Sequence, residues 1–265
     1  MESPSPWIWE PSREWIEGTN VHRFMTRLGF TDREEFLRFS RERPEEFWDA
    51  MVRETGIEWF EPYSQVLDAS RGPEWARWFT GGKLNIAHNC LDRHRASARP
   101  AILWEGEGGE TRTVGFPELY ARTNRLANAL RGMGLKQGDR VALVMPMVPE
   151  IVNILYACFK LGLIAVPIFS GFGVGAIAAR LADTGARVVF TSDFLVRRGK
   201  RIPLLEKVEE ARGNAPGVER VLVYRYGGGG FGELLDGQAE ECETLALASE
   251  TPALLLYTSG TTGMP

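Results

Sequence analysis

Three cysteines and three histidines are all that the 265 residues contain, and this scarcity excludes several classes at once. Cys90, Cys158 and Cys242 are widely spaced and odd in number, which argues against a disulfide framework and for reduced thiols in a cytoplasmic setting. His88, Cys90 and His94 lie close together, yet no second Cys/His cluster and no CxxC spacing completes a tetrahedral metal site, so no metal ligand is expected. An excess of positive charge is also missing: 31 Lys and Arg against 35 Asp and Glu leave a net charge of −4, which excludes broad attraction to nucleic acid or to an anionic membrane. Long apolar runs are absent too. The longest stretch, Ile151 to Phe169, is interrupted by Asn153, Lys160, Gly162 and Pro167, and reads as a helix followed by a strand, not as a membrane span. The opening residues MESPSPWIWEP have no basic flank and no apolar core, so no signal peptide is expected.

What remains is a globular composition, 44% hydrophobic and 25% charged, with enough chain for one or two cores. Its organisation changes near residue 95. Residues 1–94 hold seven of the eight tryptophans among Glu/Arg-rich stretches, with no regular strand pattern, and read as a mostly helical extension. From 95 to 265 an α/β alternation is expected. Ala101–Glu105 and Thr111–Val114 suggest a hairpin; Leu119, Leu126, Leu130 and Met133 mark one helix face; Val141–Met145 is a strand. Helices at 150–161, 176–184 and 203–212 then alternate with strands at 163–169, 187–191, 218–224 and 253–257.

Two segments carry chemistry. Tyr257 to Pro265, YTSGTTGMP, follows the apolar run Ala253–Leu256. Gly260 and Gly263 allow backbone N–H groups to approach an anion, and Thr258, Ser259, Thr261 and Thr262 add hydroxyls, which suits a mobile phosphate loop; a polar surface turn is the plain alternative. A Walker A loop is excluded, since Met264, not lysine, follows Gly263. The second segment is Arg197, Arg198, Lys200 and Arg201 around Gly199. Four cations in five positions call for an anionic partner or a solvated face. A rival reading comes from Gly171, Gly173 and Ala176, which fit GxGxxA before a helix, with Asp193 about twenty residues on; this imitates the fingerprint of an NAD(P)-dependent oxidoreductase, though it does not sit on the first strand.

Thr258 to Pro265 resembles the signature loop of the AMP-forming acyl-CoA synthetases, Thr-Ser-Gly-[Ser/Thr]-Thr-Gly-x-Pro-Lys, with the lysine one position past Pro265. GKLNIAHNCLDRH (82–94), MPMVPE (145–150), IFSGFG (168–173) and VRRGKRIPL (196–204) are similar to stretches of the acetyl-CoA synthetase group in the same order. The resemblance implies an N-terminal extension over 1–94 and the N-terminal portion of the adenylate-forming domain over 95–265. It implies a reaction of a carboxylate, acetate or another short-chain acid, with ATP and CoA, giving acyl-CoA, AMP and pyrophosphate, with Mg²⁺ as the metal. Thr258, Ser259, Gly260, Thr261, Thr262 and Gly263 are then expected to hold ATP phosphates. Arg197, Arg198, Gly199, Lys200 and, more weakly, Gly171 are expected at CoA. Lys200 stands where the family pattern has arginine, which removes a planar two-pronged donor. No catalytic residue is expected within the chain, which is read as an N-terminal fragment partnered by the remainder of its own polypeptide and inactive alone. A non-catalytic CoA-binding module is the alternative.

Overall fold

A computed structural model of the protein describes residues 8–226 and 230–258. It divides into two compact units, Met1–Ile57 with Tyr63–Thr80, and Glu58–Pro62 with Gly81–Pro265.

In the first unit, helices α1 (Arg13–Glu17), α2 (Asn20–Arg27) and α3 (Arg33–Glu42) each start at a residue whose side chain caps a free amide: Ser12 accepts from Trp15 N–H, Thr19 from His22 N–H and Asp32 from Glu35 N–H. α4 (Pro44–Glu54) opens with proline at its first turn, where a missing N–H costs nothing. Phe24, Met25 and Phe36 form the buried centre, with the Phe24 and Phe36 rings edge to face at 5.9 Å. Strands are present as well: β1 (Gln65–Asp68) and β2 (Arg77–Thr80) pair antiparallel in this mostly helical region, where the sequence shows no regular strand pattern. Four-residue strands are too short to show an alternation, and this pair is fixed by contacts across the ladder, Leu67 opposite Trp78 and Arg77 Nη2 donating to Asp68 at 2.6 Å.

The second unit begins with β3 (Lys83–Leu84) and α5 (Ile86–Cys90), capped by Asn85, whose Oδ1 accepts from Ala87 N–H. The expected hairpin follows as β4 (Pro100–Glu105) and β5 (Thr111–Gly115), and the expected long helix as α6 (Phe116–Gly132). Then come β6 (Arg140–Val144), α7 (Glu150–Lys160), β7 (Ile164–Pro167), α8 (Val174–Thr184), β8 (Val188–Ser192), a hairpin of β9 (Phe194–Arg197) and β10 (Lys200–Pro203), α9 (Leu205–Arg212), β11 (Arg220–Tyr224), α10 (Gly232–Leu235) and β12 (Leu247–Ala248), which pairs with β3.

The centre is a parallel sheet in the order β11-β8-β6-β7. Successive side chains of a strand point to opposite faces, and both faces are covered here. Val141, Leu143, Val188 and Phe190 pack with Leu126 and Leu130 of α6 and Ile154, Ala157 and Cys158 of α7. Ala142, Val144 and Val189 pack with Ile177 and Leu181 of α8 and Val208 and Ala211 of α9. This is the expected α/β class, with the helices after β6 and β7 on opposite faces.

Two apolar runs differ from their reading as buried strands. β7 ends at Pro167, and Phe169 is 59% exposed because the chain leaves the sheet there. Ala253–Leu256 is not a strand; it touches the sheet edge through one parallel bridge, Leu254 with Ala165, made by two backbone bonds, Ala165 N–H to Ala253 O at 3.0 Å and Leu255 N–H to Ala165 O at 2.9 Å. Only one side of this segment is covered: Leu255 and Tyr257 pack inward and Leu256 is 65% exposed.

Candidate functional site

A cleft of about 420 Å³ opens beyond the carboxyl ends of β6, β7 and β8. Parallel α/β sheets place ligands here, because the connections of neighbouring strands leave toward opposite faces and part the loops. Pro146 and Met147 come from the end of β6, Phe169 to Gly171 from the end of β7, Leu195 to Arg197 and Ile202 from the β9/β10 hairpin, and Trp104 to Glu107 from the end of β4.

Gly171 and Arg197 therefore line one cavity, although helix α8 and strand β8 separate them in sequence. Gly171 permits close approach: a Cβ there would lie 2.4 Å from the Phe169 ring. Arg198 and Gly199 form the two-residue turn of the hairpin, with φ of 52° and 70°. Both values are left-handed, as a type I′ turn demands, and glycine alone takes them without strain. The turn is held from across the cleft by Glu107, whose Oε1 accepts from Gly199 N–H at 2.8 Å.

The ladder sorts the four cations. Arg197 and Lys200 are Cα partners, as are Leu195 and Ile202 two residues along, so these four share one side of the hairpin; Leu195, Val196, Arg197 and Ile202 line the cleft, and Lys200 is not among the lining residues. Arg201 pairs with Val196 on the opposite side, and its guanidinium lies 4.7 Å over the Phe194 ring. Arg197, Arg198, Lys200 and Arg201 are exposed, and among the described residues none of them meets a carboxylate within ion-pair distance.

Several lining residues carried no sequence signal. Trp104 closes the wall by donating Nε1–H to Met147 O at 2.7 Å, leaving the Met147 side chain 82% exposed. Lys207 Nζ reaches Ser170 O at 3.3 Å. Burial, with Glu110 and Glu107 nearby, holds the Tyr226 hydroxyl above the usual tyrosine range. Another cleft, about 440 Å³ along β11 and α10, contains none of the expected residues.

Of the hydroxyl loop, Thr258 is described and exposed; Ser259, Gly260, Thr261, Thr262 and Gly263 lie outside the described residues. The residue that leads into it is held firmly. Tyr257 donates its hydroxyl to Asp183 of α8, and burial followed by that carboxylate pushes the phenol up to about 12.

The dinucleotide reading loses its acidic residue. Asp193 Oδ1 accepts from the backbone N–H of Phe194 at 2.9 Å and of Tyr226 at 3.1 Å, so the carboxylate holds loops of its own chain and is not presented to a ribose. His88 pairs with Glu58 at 2.7 Å, and among the described residues no group of three His, Cys, Asp or Glu is placed to hold a metal ion. No helix among them is long and apolar enough to cross a membrane.

Comparison with known proteins bears on the family and the fold. Residues 33–90 match the model of the acetyl-coenzyme A synthetase N-terminus. The acetyl-coenzyme A synthetase of Methanothrix thermoacetophila is 40% identical over 267 residues, which cover 95% of this chain and 40% of that protein. The 3-hydroxypropionyl-coenzyme A synthetase of Sulfurisphaera tokodaii is 42% identical over 85% of this chain and 36% of its own length. The solved acetoacetyl-CoA synthetase from Streptomyces lividans superposes with a TM-score of 0.87 at 26% identity, over 97% of this chain and 42% of that one. The chain thus spans about 40% of the length of the curated relatives it matches. Residues 91–265 match the model of the AMP-binding enzymes, and the chain belongs to that family.

Proposed function

We propose that this chain supplies the CoA-binding and ATP phosphate-binding elements of an AMP-forming acid–CoA ligase. That enzyme joins a short-chain carboxylate to CoA through an acyl-adenylate, releasing AMP and pyrophosphate. The observation that carries the reading is the convergence of Gly171 and Arg197, with Lys200 the ladder partner of Arg197, at the carboxyl end of a parallel sheet, in a chain whose relatives are named as CoA synthetases.

The two cations, free of carboxylates and side by side, suit the phosphates of the nucleotide end of CoA, while Trp104, Met147 and Phe169 offer apolar surface beside them. Arg198 and Gly199 shape the turn that presents them. Lys200 neutralises phosphate as a point charge and leaves orientation to Arg197. Thr258, Ser259, Gly260, Thr261, Thr262 and Gly263 supply hydroxyl and amide donors to the ATP phosphates, and Mg²⁺ enters with the triphosphate, consistent with its preference for phosphate oxygens over an all-protein cage. Residues 1–94 serve as the extension and 95–265 as the first part of the AMP-binding domain. We assign no catalytic residue in the chain. The acyl group is open between acetate and other short acids, since the relatives' names include acetyl, 3-hydroxypropionyl and acetoacetyl.

Calorimetric titration of CoA into the purified chain tests the reading. Binding is expected, weakening as salt rises and falling at least about tenfold when Arg197 and Lys200 are both replaced by alanine. CoA binding that ignores salt and survives both replacements would count against it.

A further inference from the structure

Arg180, on α8, is only 7% exposed, yet among the described residues it meets no carboxylate within ion-pair distance. A buried guanidinium without an anion is costly unless other groups take its charge. Here two aromatic faces do so: Cζ lies 4.4 Å from the centroid of Phe172 and 5.1 Å from that of Tyr257. Nη1 donates to Ala176 O at 2.9 Å, and Nε has no partner. The two rings belong to different loops. Phe172 follows Gly171 at the cleft, and Tyr257 leads into Thr258. One turn along α8, Asp183 accepts the Tyr257 hydroxyl, so the tyrosine is gripped at its face and its tip by residues three apart on one helix.

A solvated surface arginine would not be placed in this way, and an arginine retained for α8 alone would not need either ring. The backbone at 253–255 is attached to the sheet by a single bridge, made of two hydrogen bonds. Among the described residues, the grip on Tyr257 is thus a side-chain restraint immediately ahead of Thr258.

We propose that Arg180 is a positioning residue for the ATP phosphate-binding segment: stacked between Phe172 and Tyr257, it fixes the point from which Thr258 onward departs. The proposal rests on the reading of residues 258–263 given above. It depends on the planar stack, not on charge alone, so lysine is not an adequate replacement.

The test is calorimetry of Mg-ATP and, separately, of CoA on the chain and its R180K variant, with a thermal melt of each. R180K is expected to weaken Mg-ATP about tenfold and to leave CoA affinity within about twofold. Tyr257→Leu, on the partly exposed edge segment, gives the same result where R180K folds poorly, and the double variant is no weaker than the worse single one, because both break one stack. Unchanged Mg-ATP affinity in folded R180K overturns the role of Arg180 and leaves the functional reading standing. Equal losses for both ligands in step with a lower Tm also overturn it, since they mark a merely structural residue. A wild-type chain that binds no Mg-ATP removes the phosphate-binding reading and the role of Arg180 with it.

Discussion

Lys160 of α7 donates Nζ–H to Asp92 Oδ1 at 2.8 Å across 68 residues of chain, and the lysine is 1% exposed. Thr244 donates its hydroxyl to the other carboxylate oxygen at 2.5 Å, so one buried ion pair joins α7, the segment after α5 and the irregular chain before β12. Its value lies in being complete. Removing one partner leaves a buried charge without compensation, whereas removing both does not.

Asp92→Asn is therefore expected to cost about 3–5 kcal/mol of stability in urea unfolding, and Lys160→Met with Asp92→Leu to recover most of that loss. Equal destabilisation by the single and double variants would show that packing around the pair matters, and not its charge.

Replacement of Lys200 by arginine is expected to tighten CoA binding several-fold, about 1 kcal/mol, by restoring a planar donor beside Arg197 on the hairpin. Arg201→Ala should leave CoA affinity nearly unchanged, because that guanidinium stacks on Phe194 on the other face. Titration of both variants under one salt condition checks the pair of outcomes, and a larger loss in Arg201→Ala would reverse the assignment of faces.

The hairpin turn gives a stability prediction of opposite sign at two adjacent positions. Arg198 holds a left-handed φ of 52° at a cost of roughly 1 kcal/mol, so Arg198→Gly is expected to stabilise the chain by up to about that amount, less the extra freedom glycine gains when unfolded. Gly199→Ala, at φ 70°, should destabilise it by about 1 kcal/mol. Denaturant midpoints at constant slope decide both.

The sequence revealed the doubly covered sheet more readily than the site. β6 was legible as a short continuous apolar run and α7 and α8 by their helical period, and Gly171 and the basic run because glycine and clustered charge are compositionally conspicuous. That Gly171 and Arg197 lie at one site was implied only by the family resemblance, since a crossover through α8 and β8 brings them together and no local pattern encodes it. The β9/β10 hairpin was missed for a different reason. Its turn is Arg-Gly, without the Asn or Asp that usually announces a type I′ turn, and its strands carry arginine and lysine where alternation would be sought. Ala253–Leu256 misled by being uniformly apolar, which reads as burial on two sides although the sheet edge covers one. Arg180 carried no signal in the sequence, because its stacking depends on Phe172 and Tyr257, 8 and 77 positions away.

Alkaline pH should weaken the fold through a buried thiol and two phenols. Burial pushes Cys158 from 9.0 up to about 12, and Tyr224 and Tyr257 from 10.0 up to about 12, chiefly for the same reason. Each group keeps its proton in the folded chain over a range where the unfolded chain has released it, so the unfolded state binds fewer protons and stability falls as pH rises. The contribution is complete below pH 9 for the thiol and below pH 10 for the phenols, and is lost progressively toward pH 12. Cys158→Ala is expected to flatten the decline that begins near pH 9 and to leave the later, tyrosine-driven part in place. Urea unfolding at a series of alkaline pH values, with tyrosinate absorbance followed in parallel, measures both parts. In the native chain near neutral pH a thiol reagent should label exposed Cys90 at once and Cys158 only at the rate of unfolding, because a buried neutral thiol is neither accessible nor nucleophilic. Labelling of Cys158 as fast as Cys90 would mean that α7 opens without global unfolding, and the alkaline decline would then have to be assigned to the tyrosines alone.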